Sequence, residues 1–325
     1  MRRSAPAVAA LAVALTGCAA SPPLADGLAS DAPRSLELSA TPFYPQEDYQ
    51  CGPAALATLL RASGLDVTPE NLAPEVFVPG LRGSLQLEMI GATRRHGRLP
   101  YVLSTTADEM VAELAAGRPV LVLQNLGAER LPVWHYAVLI GYDADRNVAL
   151  LRSGRTQREE MRWQRFAKTW HRGGRFALTT LHPAEIPSHA EPERFIEAAA
   201  GLEAAGQWRA AAEAYDAAIS RWPNEPHAWL GRGNIAYAEG DRSAAADAYL
   251  RSILLAPNDA AARNNLAQLL ADAGCRDEAR KQVDRAARLA EGSALASAVA
   301  ATRVTIESMD NPAAACPLGD RAWPD

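Results

Sequence analysis

A chain of 325 residues with 48% hydrophobic and 22% charged side chains has the make-up of a globular protein, with room for about two domains. Its formal net charge of -5 excludes a strongly basic nucleic-acid binder and gives acidic substrates no help from bulk charge. Past a short N-terminal run, no stretch approaches the ~20 apolar residues that a membrane-spanning helix needs.

Residues 1–17 have the layout of a secretory signal peptide: Arg2 and Arg3 precede an Ala-rich apolar run from Ala7 to Leu15 that ends in small residues. The sequence Leu15-Thr16-Gly17-Cys18 resembles the bacterial lipoprotein box. That resemblance implies cleavage before Cys18, lipidation of that cysteine and a place in the cell envelope. With Ala19 next, it implies the outer membrane facing the periplasm. Acyl chains anchor by burying methylenes at about 0.8 kcal/mol each, so more than one chain gives a stable tether. Residues 18–41 then form the anchor and a flexible spacer, since they are rich in Ala, Ser, Pro and Asp without a sustained apolar period.

The first globular unit is expected over 42–182. Leu56, Leu59 and Leu60 fall at helical spacing within Ala54–Ala62, with Pro53 suited to a first turn. Further helices are expected over Leu85–His96 and Ala107–Ala115. After Gly117 the period shortens. Strands are expected at Pro119–Leu123, Trp134–Tyr142, Val148–Leu151, Arg158–Arg162 and Arg175–Leu181, with a helix over Trp163–Trp170. Helices first and antiparallel strands after make this an α+β domain.

A linker is expected over 183–191, and beyond it the sequence repeats. Gly206, Gly240 and Gly274 are 34 apart, as are Ala211, Ala245 and Ala279, and Tyr215, Tyr249 and Val283. This period and its residue types resemble the tetratricopeptide repeat, which implies three helix pairs over 192–291 stacked into an all-α solenoid. A solenoid of this kind has a groove for a protein partner. Residues 292–325 are expected to add a C-terminal helix and tail. In an exported chain Cys275 and Cys316 could pair, although sequence does not fix the distance between them.

The chemistry concentrates in two segments. In Gln46-Glu47-Asp48-Tyr49-Gln50-Cys51-Gly52-Pro53, a cysteine stands where a loop becomes a helix. Unpaired amides and the helix dipole there favour a thiolate, although a free cysteine can equally be a buried packing residue. In Trp134-His135-Tyr136-Ala137-Val138-Leu139-Ile140-Gly141-Tyr142-Asp143, one histidine opens an apolar strand. A thiol-imidazole pair is commonly assembled from such distant positions.

Together, Gln-Cys-Gly-Pro-Ala-Ala-Leu and His-Tyr-Ala-Val-Leu-Ile-Gly-Tyr-Asp resemble the C39-like cysteine peptidases of papain fold, in particular a lipoprotein subgroup fused to tetratricopeptide repeats. The resemblance implies Cys51 as nucleophile, His135 as general base and an upstream glutamine as oxyanion donor, a place that fits Gln46 better than Gln50. It also implies an Asp or Asn after the next strand to orient the histidine. The chain reads Leu151-Arg152-Ser153-Gly154 there, leaving Ser153, Asp143 or nothing for that role. His171, His182 and His189 lack metal-ligand spacing and no Cys-x-x-Cys pair exists, so no metal or other cofactor is expected. The expected activity is hydrolysis of peptide or protein substrates. The alternatives are a non-catalytic adaptor with a degenerate peptidase domain and a thiol transamidase, which would use the same nucleophile and base.

Overall fold

The computed structural model describes residues 24, 28, 32–46, 50–81, 83–309, 316–319, 321 and 323. The expected signal peptide, the lipidation candidate Cys18 and the residues between Gln46 and Gln50 lie outside the described residues.

The N-terminal α+β domain runs β1 (Ser35–Glu37), α1 (Cys51–Ala62), α2 (Pro69–Val76), β2 (Phe77–Val78), β3 (Gly83–Ser84), α3 (Gln86–Arg95), β4 (Leu99–Val102), α4 (Ala107–Ala115), β5 (Val120–Asn125), β6 (Trp134–Asp143), β7 (Val148–Ser153), β8 (Thr156–Arg162), α5 (Trp163–Arg172) and β9 (Ala177–Leu181). Its main sheet is antiparallel, ordered β4-β9-β5-β6-β7-β8, with β1 added to β6. Strand alternation sends Tyr136, Val138, Ile140 and Leu150 to one face, against Leu56, Leu59 and Leu60 of α1. Ala137, Leu139, Ala149 and Leu151 face the other way, against Trp163 and Phe166 of α5. Each of these fully buried leucines contributes about 1.5–3 kcal/mol.

β6 is long enough to serve two partners on one side. β5 pairs with Trp134 to Leu139, and β1 takes over with Glu37 opposite Gly141 and Ser35 opposite Asp143. Gly141 is required there, because a Cβ would lie 2.1 Å from the Leu36 carbonyl oxygen. The flexible spacer expected over 18–41 does not hold at Ser35–Glu37, which backbone pairing with β6 orders. Also missing from the sequence reading are β4, whose short run contains Pro100, and α2, which carries Pro69 and Pro74. α2 is started by a capping box between Thr68 and Asn71.

The helices that follow pair as α6 (Pro192–Ala204) with α7 (Trp208–Arg221), α8 (Pro226–Ala238) with α9 (Arg242–Leu255), and α10 (Ala260–Asp272) with α11 (Arg276–Leu289), before α12 (Ala296–Glu307). Gly206, Gly240 and Gly274 turn each hairpin in the left-handed region, at φ 73°, 82° and 81°. Ala211, Ala245 and Ala279 are fully buried between the helices. Cys275 and Cys316 form a disulfide that ties the C-terminal segment to the start of α11. No described helix is long and apolar enough to cross a membrane.

The two regions share one core. Leu99, Tyr101 and Leu181 of the sheet are continuous with Phe195, Leu202, Tyr215 and Ala228 of the first repeats. Polar contacts reinforce the seam. Arg194 pairs with Glu109 at 3.1 Å, Glu191 N donates to Tyr101 Oη at 3.1 Å, and Gln207 Nε2 donates to the Arg95 carbonyl at 3.0 Å. The linker is itself fastened, with Ser188 N donating to buried Glu113 at 2.7 Å.

Candidate active site

Cys51 is the first residue of α1, and its N-cap Gln50 makes no side-chain capping bond. The amides of the first turn are thus free to act on the thiol. Burial pushes the Cys51 pKa up, while the amides of Tyr136, Gly52 and Cys51 itself pull it down. Burial is the largest of these effects and the net shift is upward, so the thiol is protonated at neutral pH. The Tyr136 amide can reach the sulfur because β7 pairs with β6 only from Val138 onward, leaving the start of β6 without a partner on that side.

Gly52 lets α1 come this close. A Cβ on Gly52 would lie 2.2 Å from Ser84 Oγ, and Tyr136 Oη donates to the Ser84 carbonyl at 3.3 Å. Ser84 thereby wedges between α1 and β6.

His135 sits second in β6, and its Nε2 is hydrogen-bonded to Ser153 Oγ at 3.0 Å. Ser153 is buried at the end of β7, one residue before Gly154 turns the chain into β8 at φ 58°. Burial lowers the His135 pKa below 6.5, and the charge of Glu159 on β8 opposes that shift. The imidazole is therefore neutral at pH 7. Its Nδ1 has no hydrogen-bond partner among the described residues. In this resting arrangement Ser153 holds the ring, backbone amides favour the ionised thiol against burial, and no hydrogen bond joins Cys51 to His135.

Gln46 reaches the same corner through its backbone, its N–H donating to the Gly154 carbonyl at 3.0 Å. The strap that carries it is anchored by Arg152, which is buried. Arg152 Nη2 donates to the carbonyls of Ser39 and Thr41, both at 2.9 Å, and Nη1 donates to that of Gln157.

The structure thus brings Cys51, His135, Ser153 and Gln46 to one end of the sheet. Gln50 is exposed at the head of α1. Asp143 is at the opposite end of the ten-residue β6, roughly 26 Å away at strand rise, where it accepts from Arg146 N at 2.9 Å and shapes the turn. His96 belongs to the α2–α3 contact, 2.9 Å from Glu75. Among the described residues no three metal-binding side chains cluster. Sequence reasoning missed Arg152 and Glu159. The signal for Arg152 was present, as a lone charge in the otherwise apolar strand Val148–Ser153.

The Peptidase C39 like family model matches residues 39–178, and a tetratricopeptide repeat model matches residues 197–254. Among solved structures, a protein from Bacillus anthracis described as a C39-like peptidase is similar at 20% identity and a TM-score of 0.39, covering 45% of this chain and 97% of that one. No curated protein matches the chain.

Proposed function

Because residues 39–178 form a domain of the Peptidase C39 like family, joined to tetratricopeptide repeats, we propose that the protein is a cysteine peptidase with Cys51 as nucleophile and His135 as base. The observation that carries this reading is the His135 Nε2 to Ser153 Oγ bond: with Nε2 as its donor, Nδ1 is left to accept a proton, and the next residue's amide acts on the Cys51 thiol. A side-chain movement that needs no substrate closes the remaining gap between Sγ and the ring. The sulfur then attacks the peptide carbonyl as Nδ1 takes its proton, and the same nitrogen returns the proton to the leaving amine. Water, deprotonated by His135, releases the acyl group. The Cys51 amide and the Gln46 side chain supply the oxyanion donors. The test is cleavage of a fluorophore-quenched peptide library by the purified chain. No cleavage, with Cys51 inert to thiol probes, would favour a non-catalytic adaptor, a reading supported by the uncharged Ser153 in the orienting place.

Ser153 holds the ring but supplies no charge to stabilise an imidazolium. A neutral hydrogen bond of this kind contributes about 1 kcal/mol, so Ser153→Ala is expected to lower kcat/KM about fivefold. Ser153→Asp is expected to keep the orientation and raise the His135 pKa, moving the acid limb of the pH-rate profile upward. An unchanged acid limb in that variant would remove Ser153 from the mechanism.

Export and anchoring complete the proposal. Cys18 carries the lipid, and the segment after it joins membrane to domain in the cell envelope. Incorporation of a clickable palmitate analogue in vivo should be lost in Cys18→Ser. Retained incorporation would move the attachment elsewhere.

A further inference from the structure

Helices α6 and α8 of the first two repeats line an open groove of about 710 Å³ with a mainly apolar floor. Ile196 and Leu230 contribute to that floor, as does the Tyr215 ring, which packs where a Cβ on Gly231 would lie 2.1 Å from its Cζ. Glu193, Glu197, Glu203 and Glu225 also line the groove, and no Lys or Arg does. Glu203 is committed internally, accepting from Tyr215 Oη at 2.7 Å and from Asn234 Nδ2 at 3.0 Å. The other three carboxylates have no cation within ion-pair distance among the described residues. At the groove's edge, Trp208 opens α7 with 45% of its surface exposed.

Apolar floor, unpaired carboxylates and an exposed indole ask for one kind of occupant. A Lys or Arg side chain lays its methylene stem on apolar surface while its head reaches carboxylates or an aromatic face. An acidic segment would be repelled by the same three groups. We propose that this groove binds an extended protein segment carrying Lys or Arg beside apolar residues. The proposal deepens the protein-partner side of the reading above and rests on it, but it does not involve Cys51.

The test uses the full chain with Cys51→Ala and two fluorescein-labelled octapeptides, one alternating Lys and Leu and one alternating Glu and Leu, followed by anisotropy. The Lys-Leu peptide is expected to bind at least tenfold more tightly, and its binding should weaken as salt rises. Exposed ion pairs are worth up to about fivefold each, so the combined Glu193→Gln, Glu197→Gln, Glu225→Gln variant should lose at least tenfold. Trp208→Ala should lose several-fold, and both variants should keep the parent's thermal midpoint. Glu-Leu binding as tightly as Lys-Leu would overturn the charge assignment alone, and binding of neither peptide would overturn the groove itself. An unchanged triple variant would also overturn the proposal, by assigning the attraction to the chain's overall negative charge. Since the tested chain lacks the thiol, none of these outcomes bears on the peptidase reading.

Discussion

Cys51→Ala is expected to abolish peptide cleavage, and His135→Ala is expected to slow alkylation of Cys51 by iodoacetamide at pH 7 by two orders of magnitude or more. Burial raises the Cys51 pKa, so at pH 7 little of an unassisted thiol is ionised. Burial lowers the His135 pKa below 6.5, so the ring is an unprotonated base through neutral pH. With both groups present, reactivity should be held as pH falls through 6.5 and be lost only once His135 protonates at its lowered value. Without the ring, reactivity should climb about tenfold per pH unit toward the thiol's own raised pKa. The measurement is a pH series of alkylation rates for the parent and His135→Ala, with peptide turnover alongside. Parallel pH curves for the two proteins would show that His135 is no base for this thiol, and the peptidase reading would fall with it.

Arg152→Met is expected to destabilise the N-terminal domain by about 3 kcal/mol or more and to impair the site from a distance. Hydrogen bonds to a buried charged group are worth about 1.5–3 kcal/mol each, and a buried carbonyl left unpaired costs about 1–3 kcal/mol. Arg152 serves three carbonyls, that of buried Thr41 and those of the more exposed Ser39 and Gln157. Methionine fills much of the same volume, so the loss isolates the polar contacts rather than creating a cavity. Two of the three carbonyls belong to the strap leading to Gln46, whose backbone is pinned to Gly154. Hydrogen exchange over 39–46 should therefore accelerate more than exchange in α10 and α11, and turnover should fall even well below the unfolding midpoint. A urea midpoint equal to the parent's would mean that the strap is held by something else.

The fold was largely legible because its strongest patterns are local. The 34-residue spacing of glycine, alanine and tyrosine positions corresponds to the turns and buried faces of the helix pairs, and the apolar runs of β5 and β6 fall at the centre of the sheet. β1 was missed because a long-range partner, not composition, decides the outcome. Ser35-Leu36-Glu37 has no strand pattern of its own and is ordered by the backbone edge of β6 beside Gly141. The same holds at the site. Cys51 and His135 stand out by position in a helix start and a strand start, whereas Glu159 acts on the ring from two strands away. Arg152 works through carbonyls more than 100 positions upstream, and no spacing rule in sequence encodes that.

The shared core and the disulfide together change how the solenoid should come apart. Stacked repeats ordinarily loosen from their termini, because a terminal unit has a neighbour on one side only. Here the first helix, α6, is welded into the sheet domain through Phe195 and Leu202. The far end is stapled by Cys275–Cys316, which spans 41 positions and in the chain-entropy account contributes about 4 kcal/mol. With both ends clamped, the weakest cooperative unit becomes the middle, around α8 and α9, so that breathing begins in the interior of the array and spreads outward.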